Sequence, residues 1–180
     1  MGLKQLLIEK KKSILERWFH LILETYPPET SKFIRKEKDR FVNPVGVTLS
    51  EGMEALYEGL LKGVVADQIS NPLEKILQIR SVQDFSPSQA VAIMSLLKKA
   101  VQEEMKENKI EMKGMIEEWF DLESRIDQLS LRAFDLYTTY RERIYEIRIS
   151  EIKRERDRAF MLLERTGSTQ KRRDPETNSG

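Results

Sequence analysis

The chain has 180 residues, and its 31 basic and 30 acidic residues leave a formal net charge of +1, so it has the length of one domain with an extension. Balanced charge argues against nucleic-acid binding, which needs an excess of basic residues on one face. The sequence contains no cysteine and a single histidine, which excludes disulfides, thiolate metal sites, thiol nucleophiles and multi-histidine metal centres.

The N-terminal third predicts two helices. Apolar residues at helical spacing predict a first helix over residues 3–25, which the Pro27-Pro28 pair ends. A short helix follows over residues 30–36. The segment Phe41–Gly46 predicts a turn-rich connection, because Asn-Pro initiates turns and Gly46 can adopt a positive φ.

Three helix starts are marked by capping sequences. Thr48–Glu51 and Ser86–Gln89 have the spacing of a capping box, and Asn71–Glu74 repeats it with proline at the first helical position. The helix after Ser86 carries apolar residues on one side: Ala90, Met94, Leu97, Val101 and Met105. No stretch of more than a few residues alternates with the period of a strand, so the sequence predicts an all-α fold.

The C-terminal third predicts one long helix. Eight apolar residues alternate in steps of four and three and form what we call the seam: Met115, Trp119, Leu122, Ile126, Leu129, Ala133, Leu136 and Tyr140. After Tyr140 the next apolar positions are Ile144 and Ile147, which indicates a stutter, and beyond Ile152 the sequence is mixed charge. A helix of about 50 residues would be about 75 Å long.

The length of the seam predicts a homodimer. Helices of about 15–25 residues from the same chain are expected to be too short to cover it, and soluble monomers rarely expose such a patch. The predicted dimer interface consists of Met115, Trp119, Leu122, Ile126, Leu129, Leu136 and Tyr140. The alternative is that Leu122, Ile126 and Leu129 belong to the last core helix of a monomeric bundle.

The chain organisation follows from these elements. We expect a helical domain over residues 1–150, a helical extension over 151–165 and a disordered polar tail over 166–180. The N-terminus lacks the apolar region of a secretory signal, and the longest uncharged stretch, 85–97, is too short for a membrane span. We therefore expect a cytoplasmic protein without membrane insertion.

Candidate metal and haem ligands are few. Glu16, His20 and Glu24 share one helix face, but a di-iron bundle needs Glu-x-x-His on two helices, and no second histidine exists. A globin-type pocket takes its proximal histidine from a late helix, whereas His20 lies in the first. We expect His20 to be an ordinary solvated or partly buried residue, and we expect no cofactor and no metal.

Other candidate sites have simpler explanations. Gln83 and Asp84 precede the helix that begins after Ser86, where an anion can bind, but most helix N-termini bind only their own cap. The pairs Trp18-Phe19 and Trp119-Phe120 could line a ligand cavity, yet aromatic residues at these spacings are usually core. No catalytic triad, glycine-rich phosphate loop or H-E-x-x-H motif is present. We expect no enzymatic activity.

Three segments resemble one family. Ile14–Trp18, Phe41–Gly46 and Arg80–Val91 are similar to the N-terminal domain of stressosome co-antagonist proteins of the RsbR/RsbRD type, over roughly residues 1–150. The residues that carry the resemblance are Asn43, Pro44, Gly46, Gln83, Asp84, Phe85, Ser86, Pro87 and Gln89.

The resemblance implies a globin-like helical domain that binds no haem, dimerises and serves as sensory input. In that family the last helix continues into an output module, commonly a STAS domain, whereas this sequence ends about 15 residues after its helix, so we expect a stand-alone input domain. Two functions follow: a non-catalytic sensory or regulatory module acting through an unknown protein partner, or a structural adaptor whose long helix docks onto a larger assembly, for example a respiratory or redox complex.

Overall fold

The computed structural model describes residues 2–37, 39–64, 70–83 and 85–171, and the side chains of all of these except Ser70 and 165–171. This part of the chain forms helices and no strand, which confirms the predicted all-α fold. The helices are α1 (Leu3–Glu9), α2 (Lys11–Leu23), α3 (Pro28–Lys36), α4 (Pro44–Leu61), α5 (Ser70–Val82), α6 (Pro87–Val91), α7 (Ile93–Glu107) and α8 (Ile116–Lys171).

The chain divides into two units, an N-terminal unit of residues 1–141 and a C-terminal unit of residues 142–180. The first contains α1 to α7 and the first part of α8. The second is described from 142 to 171, where it is the remainder of α8. No helix in the described ranges is long and apolar enough to cross a membrane.

Two predicted helices are each interrupted by one residue. The first is broken at Lys10, which has φ −97° and ψ 10°, and the helix after Ser86 is broken at Ala92. At Lys10 the interruption is local, because the Lys10 amide still donates to the Leu6 carbonyl at 2.8 Å and the Ile14 amide to the Lys10 carbonyl at 2.9 Å. The apolar spacing therefore continues across the break.

The start of α4 differs from the prediction. The helix begins at Pro44 and not at Thr48, which lies inside it, and Asn43 provides the cap by accepting from the Gly46 amide at 2.9 Å. Gly46 is helical and does not have a positive φ. The prediction for both residues was wrong because the Asn-Pro pair starts a helix here, with proline at its first position.

All eight helices contribute side chains to the core of the N-terminal unit. α2 packs most extensively against α7, and α4 against α5. Gly52 permits the second contact, since a Cβ atom at this position would lie 2.8 Å from the Ile76 side chain. A void of about 10 Å³ in the core, lined by Leu7, Tyr57 and Leu122 among others, has room for about one water molecule at most.

The first part of α8 contacts several helices in succession. Leu122 meets residues of α1, α4 and α7 around the core void. Arg125 donates to the Leu60 carbonyl at 2.8 Å, and the Tyr137 hydroxyl donates to the Phe85 carbonyl at 2.7 Å. Residues of α1, α4, α7 and the loop before α6 therefore lie against the first part of α8.

The end of α8 lies within the predicted tail. The helical backbone continues to Lys171, so it includes residues 166–171 of the segment for which the sequence predicts disorder. Residues 172–180 lie outside the described part of the chain. The predicted domain boundaries at 150 and 165 remain predictions.

Candidate functional site

Asn43 joins α3 to α4 in the motif segment Phe41–Gly46. Its side chain is 1% exposed, and its amide nitrogen donates to the Ile34 carbonyl at 2.9 Å and the Glu37 carbonyl at 2.7 Å. A Cβ atom on Gly46 would lie 2.3 Å from that nitrogen. The motif Asn-Pro-x-Gly therefore forms a helix junction in which glycine leaves space for the asparagine.

Arg80 is the first residue of the third motif segment, Arg80–Val91. Its guanidinium is fully buried and lies over the Phe85 ring, 3.8 Å from the ring centroid, and 5.4 Å from the centroid of Tyr26. The two rings meet edge to face at 5.1 Å. This arrangement gives the cation two aromatic contacts, of the kind that stabilise a desolvated guanidinium.

The hydrogen bonds of Arg80 connect three elements. Its Nη2 atom donates to the Thr25 hydroxyl at 3.3 Å and to the Gln89 carbonyl at 3.1 Å, while Nη1 lies 3.5 Å from the Tyr26 hydroxyl. No carboxylate among the described residues forms an ion pair with it, and burial lowers its pKa. Arg80, on α5, thus forms hydrogen bonds with the segment after α2 and with α6.

The remaining motif residues stabilise the same corner. Ser86 and Gln89 form the predicted capping box, with the Gln89 side chain accepting from the Ser86 amide at 2.9 Å. Gln83 accepts a hydrogen bond from the Tyr26 hydroxyl at 3.1 Å. The start of α6 therefore binds its own cap, and Asp84, the other residue considered for an anion site, lies outside the described residues.

A second polar cluster lies between α2 and α7. Glu104 is 3% exposed; its carboxylate accepts from the Ser13 hydroxyl at 2.6 Å and the Asn108 amide at 3.0 Å, with Arg17 at 3.5 Å. The sequence did not single out Glu104, because nothing in a charge-rich helix distinguishes a buried glutamate from solvated ones. This cluster also joins helices.

Near this cluster, Tyr57 makes the stability sensitive to alkaline pH. Its hydroxyl donates to the Leu7 carbonyl at 2.9 Å, and burial, with a smaller effect of the Glu104 charge, raises its pKa far above the ordinary value. The unfolded chain ionises tyrosine near pH 10 and the folded chain does not, so stability is present below pH 10 and is lost as pH rises.

We expect the free energy of unfolding to fall by up to about 1.4 kcal/mol per pH unit above pH 10 through Tyr57 alone. Urea unfolding between pH 9 and pH 11 measures this, and Tyr57→Phe is expected to have a shallower slope. Equal slopes in the two proteins would contradict the assignment.

The predicted metal and haem ligands do not converge. His20 is exposed; its Nδ1 atom lies 3.0 Å from Arg35, and its Nε2 atom lies 3.8 Å from Glu24. No group of three histidine or acidic residues in the described ranges could hold a metal ion. The geometry matches an ordinary solvated histidine.

The aromatic pairs are divided between core and surface. Trp18 and Trp119 are buried in the core, whereas Phe120 is 63% exposed. Phe19 is half-buried and lines a surface groove of about 450 Å³ between α2 and α4, with an apolar floor that includes Leu15 and Met53. Both tryptophans are therefore core residues.

The predicted dimer-interface residues lie within the core of the N-terminal unit. Met115, Trp119, Leu122, Ile126, Leu129 and Leu136 are all buried by this chain alone, and Tyr140 is half-buried. The expectation that one chain cannot cover the seam was wrong, because residues of α1, α4, α7 and the loop before α6 lie against it. Replacing Leu129 and Leu136 by glutamate would therefore disrupt the core.

The C-terminal unit carries exposed apolar residues that the sequence-based prediction did not assign to an interface. Ile149 and Ile152 are 52% and 65% exposed. They belong to a row of residues on one helix face that we call the C-terminal stripe: Tyr145, Ile149, Ile152, Ala159 and Leu163. Together with Arg156, which lies between Ile152 and Ala159, these residues follow one another in alternating steps of four and three. The 4–3 alternation was available as a signal, but the prediction followed Ile144 and Ile147, the continuation of the seam.

The fold and these clusters define an all-helical domain in which buried polar groups hold helices together. Residues 12–152 match the family model of the RsbT co-antagonist protein rsbRD N-terminal domain. The match covers well over half of the chain, and the protein belongs to this family. No curated protein and no solved structure gives a significant match. The predicted resemblance is confirmed, and the family is one of regulatory sensory domains.

Proposed function

We propose that this protein is a non-catalytic sensory or regulatory module that acts through protein partners, and that it forms a homodimer in the cytoplasm by the C-terminal stripe. The exposure of Ile149 and Ile152 carries the proposal. Family membership supports the regulatory role, since the family description names RsbT co-antagonist proteins.

The C-terminal unit needs a packing partner for physical reasons. In proteins, most of the stability of a helix comes from packing of its apolar face against other structure. Between 142 and 163 the described helix exposes Tyr145, Ile149 and Ile152 on one face, and soluble monomers rarely leave a contiguous patch of this kind in water. A protein contact along this helix would bury these side chains.

The proposed dimer interface lies nearer the C-terminal end of α8 than the interface predicted from the sequence. The seam is occupied by the core of the N-terminal unit, so it is not available to a second chain without unfolding. The C-terminal stripe has the same 4–3 spacing and is exposed. The homodimer predicted from sequence is therefore retained, with different residues.

We expect light scattering of the full chain to give a mass of about twice 21.2 kDa at micromolar concentration. Replacing both Ile149 and Ile152 by glutamate is expected to give the mass of one chain, because each dimer would have to bury four carboxylates. The thermal midpoint of the N-terminal unit should change little, since both side chains are exposed.

The matched control also introduces two glutamates per chain, but away from the stripe. Ser150 and Arg154 are exposed and lie on the other side of the helix, so Ser150→Glu with Arg154→Glu should leave the mass unchanged. A mass of one chain for the original protein would contradict the homodimer, and equal effects of both double variants would contradict the placement of the interface.

The second candidate is a structural adaptor that docks by α8 onto a larger assembly. The small size of the core void, about 10 Å³, favours it, because a sensor of a buried small molecule needs more room. Native mass spectrometry distinguishes the two: a retained small molecule supports the sensory role, and a bare chain supports the adaptor.

A further inference from the structure

We infer that two copies of the chain pair through the C-terminal stripe as an antiparallel coiled coil, with Ile149 of each copy opposite the partner's Ile152. This inference rests on the proposed homodimer and adds the orientation and register of the two helices. It follows from which residues occupy the stripe and which charges flank it.

The stripe has the positions of a heptad repeat. With Ile149 at position a and Ile152 at position d, Tyr145 and Ala159 are also at d, while Arg156 and Leu163 are at a. The side chains of Ile149 and Ile152 are 52% and 65% exposed, so both are accessible to a second helix. Arg156, whose nearest ionic partner is its neighbour Asp157 at 2.7 Å, is the one charged residue in this apolar row.

The position of Arg156 discriminates between the two orientations. In a parallel, in-register pair each residue at position a or d faces its own copy, so the two Arg156 guanidinium groups would meet at the centre of the interface, which is repulsive. In the antiparallel register Arg156 faces the partner's Tyr145, and an arginine next to a tyrosine ring is a favourable contact.

The flanking charges favour the same orientation. Parallel pairing brings position g next to the partner's e, which places Arg148 beside the partner's Lys153. Antiparallel pairing brings g next to g and e next to e, which places Arg148 beside the partner's Glu155 and Glu146 beside the partner's Lys153. None of these four side chains forms an ion pair with another described residue, and all four are exposed.

Cysteine cross-linking tests the register directly, because the chain has no native cysteine. In the antiparallel pair position 145 lies opposite the partner's position 156, so the double variant Tyr145→Cys with Arg156→Cys is expected to form a covalent dimer on mild oxidation. Each single variant should remain uncross-linked, since equivalent residues would be about 16 Å apart along the helix and a disulfide needs Cα atoms within about 7 Å. Tyr145→Cys with Arg154→Cys is the control and should not cross-link, because residue 154 faces away from the stripe.

A charge change gives opposite signs for the two orientations. Arg148→Glu is expected to weaken the antiparallel dimer roughly tenfold, because it places the new carboxylate beside the partner's Glu155 twice per dimer. Arg148→Glu with Glu155→Arg should restore the original affinity. In a parallel dimer the single change would strengthen association, because the new carboxylate would lie beside the partner's Lys153. Sedimentation equilibrium of the full chain measures the affinity of the original protein and of both variants.

Each outcome supports or overturns the inference. Cross-linking of the double variant alone, together with weakening by Arg148→Glu and its rescue, supports antiparallel pairing. Cross-linking of Tyr145→Cys by itself, or tighter association of Arg148→Glu, overturns the orientation and leaves the proposed homodimer intact. A monomeric original protein overturns both.

Discussion

Replacing Trp18 by alanine is expected to lower the free energy of unfolding by about 3–5 kcal/mol, which is a large share of the roughly 5–15 kcal/mol of a typical domain. Trp18 is completely buried in α2, the helix that packs most extensively against α7. Its indole nitrogen donates to the Ile93 carbonyl at 2.7 Å. The substitution removes the ring, leaves a cavity and takes away the hydrogen bond that the indole donates to the Ile93 carbonyl. Urea unfolding of the full chain, followed by circular dichroism, measures the loss.

Trp18→Phe separates packing from hydrogen bonding. It retains most of the ring volume and removes the indole N–H, so we expect a loss nearer to that of a single buried hydrogen bond, about 1–3 kcal/mol. An unchanged unfolding midpoint for Trp18→Ala would show that the residue is not part of the core. Equal losses for both variants would show that the ring volume contributes little.

Replacing Arg80 by alanine is expected to lower the free energy of unfolding by about 2–4 kcal/mol. The buried guanidinium donates to Thr25 and to the Gln89 carbonyl and lies 3.8 Å from the centroid of the Phe85 ring, so its removal leaves acceptors unpaired and a void at the corner where α2, α5 and α6 meet. The Gln89 carbonyl and the Phe85 ring both belong to the family motif. We therefore expect the region around α6 to lose protection from hydrogen exchange first.

Three further variants test the reason for this loss. Lys75→Ala removes an exposed cation from the same helix and should change stability by less than about 0.5 kcal/mol. Arg80→Lys keeps a charge but loses the planar fork, and Arg80→Met keeps volume without charge. If Arg80→Met is as stable as the original, the guanidinium acts through its volume, because desolvation of the charge offsets its contacts. If Arg80→Ala behaves like Lys75→Ala, the assigned role of Arg80 is wrong.

Local signals in the sequence predicted the elements well. The Ser86–Gln89 capping box is present as expected, because both of its hydrogen bonds lie within four residues. The Thr48–Glu51 spacing failed because an equally local signal, Asn43 followed by Pro44, starts the same helix earlier. Two valid caps in one stretch compete, and the Asn43 side chain also bonds the carbonyls of Ile34 and Glu37, which no local pattern reveals.

The interface residues show the limit of periodicity. Both the seam and the C-terminal stripe have the 4–3 spacing of residues that face another helix. The spacing indicates that one face of a helix is apolar. It does not indicate whether the helices that pack against this face come from the same chain or from another. Ile126 and Leu129 are buried within the N-terminal unit, whereas Ile149 and Ile152 are exposed.

The sequence by itself determined the all-helical fold, the long C-terminal helix and, through its motif residues, the family, because helical periodicity, capping and short motifs are properties of neighbouring residues. Only the tertiary structure decided that the seam is core and that Asn43, Arg80 and Glu104 are buried polar junctions. Their partners lie on other helices, as in the bond from Arg80 to Thr25 of the α2 end, 55 residues away. Burial of a polar group depends on which distant helices pack over it, and that is a property of the assembled fold.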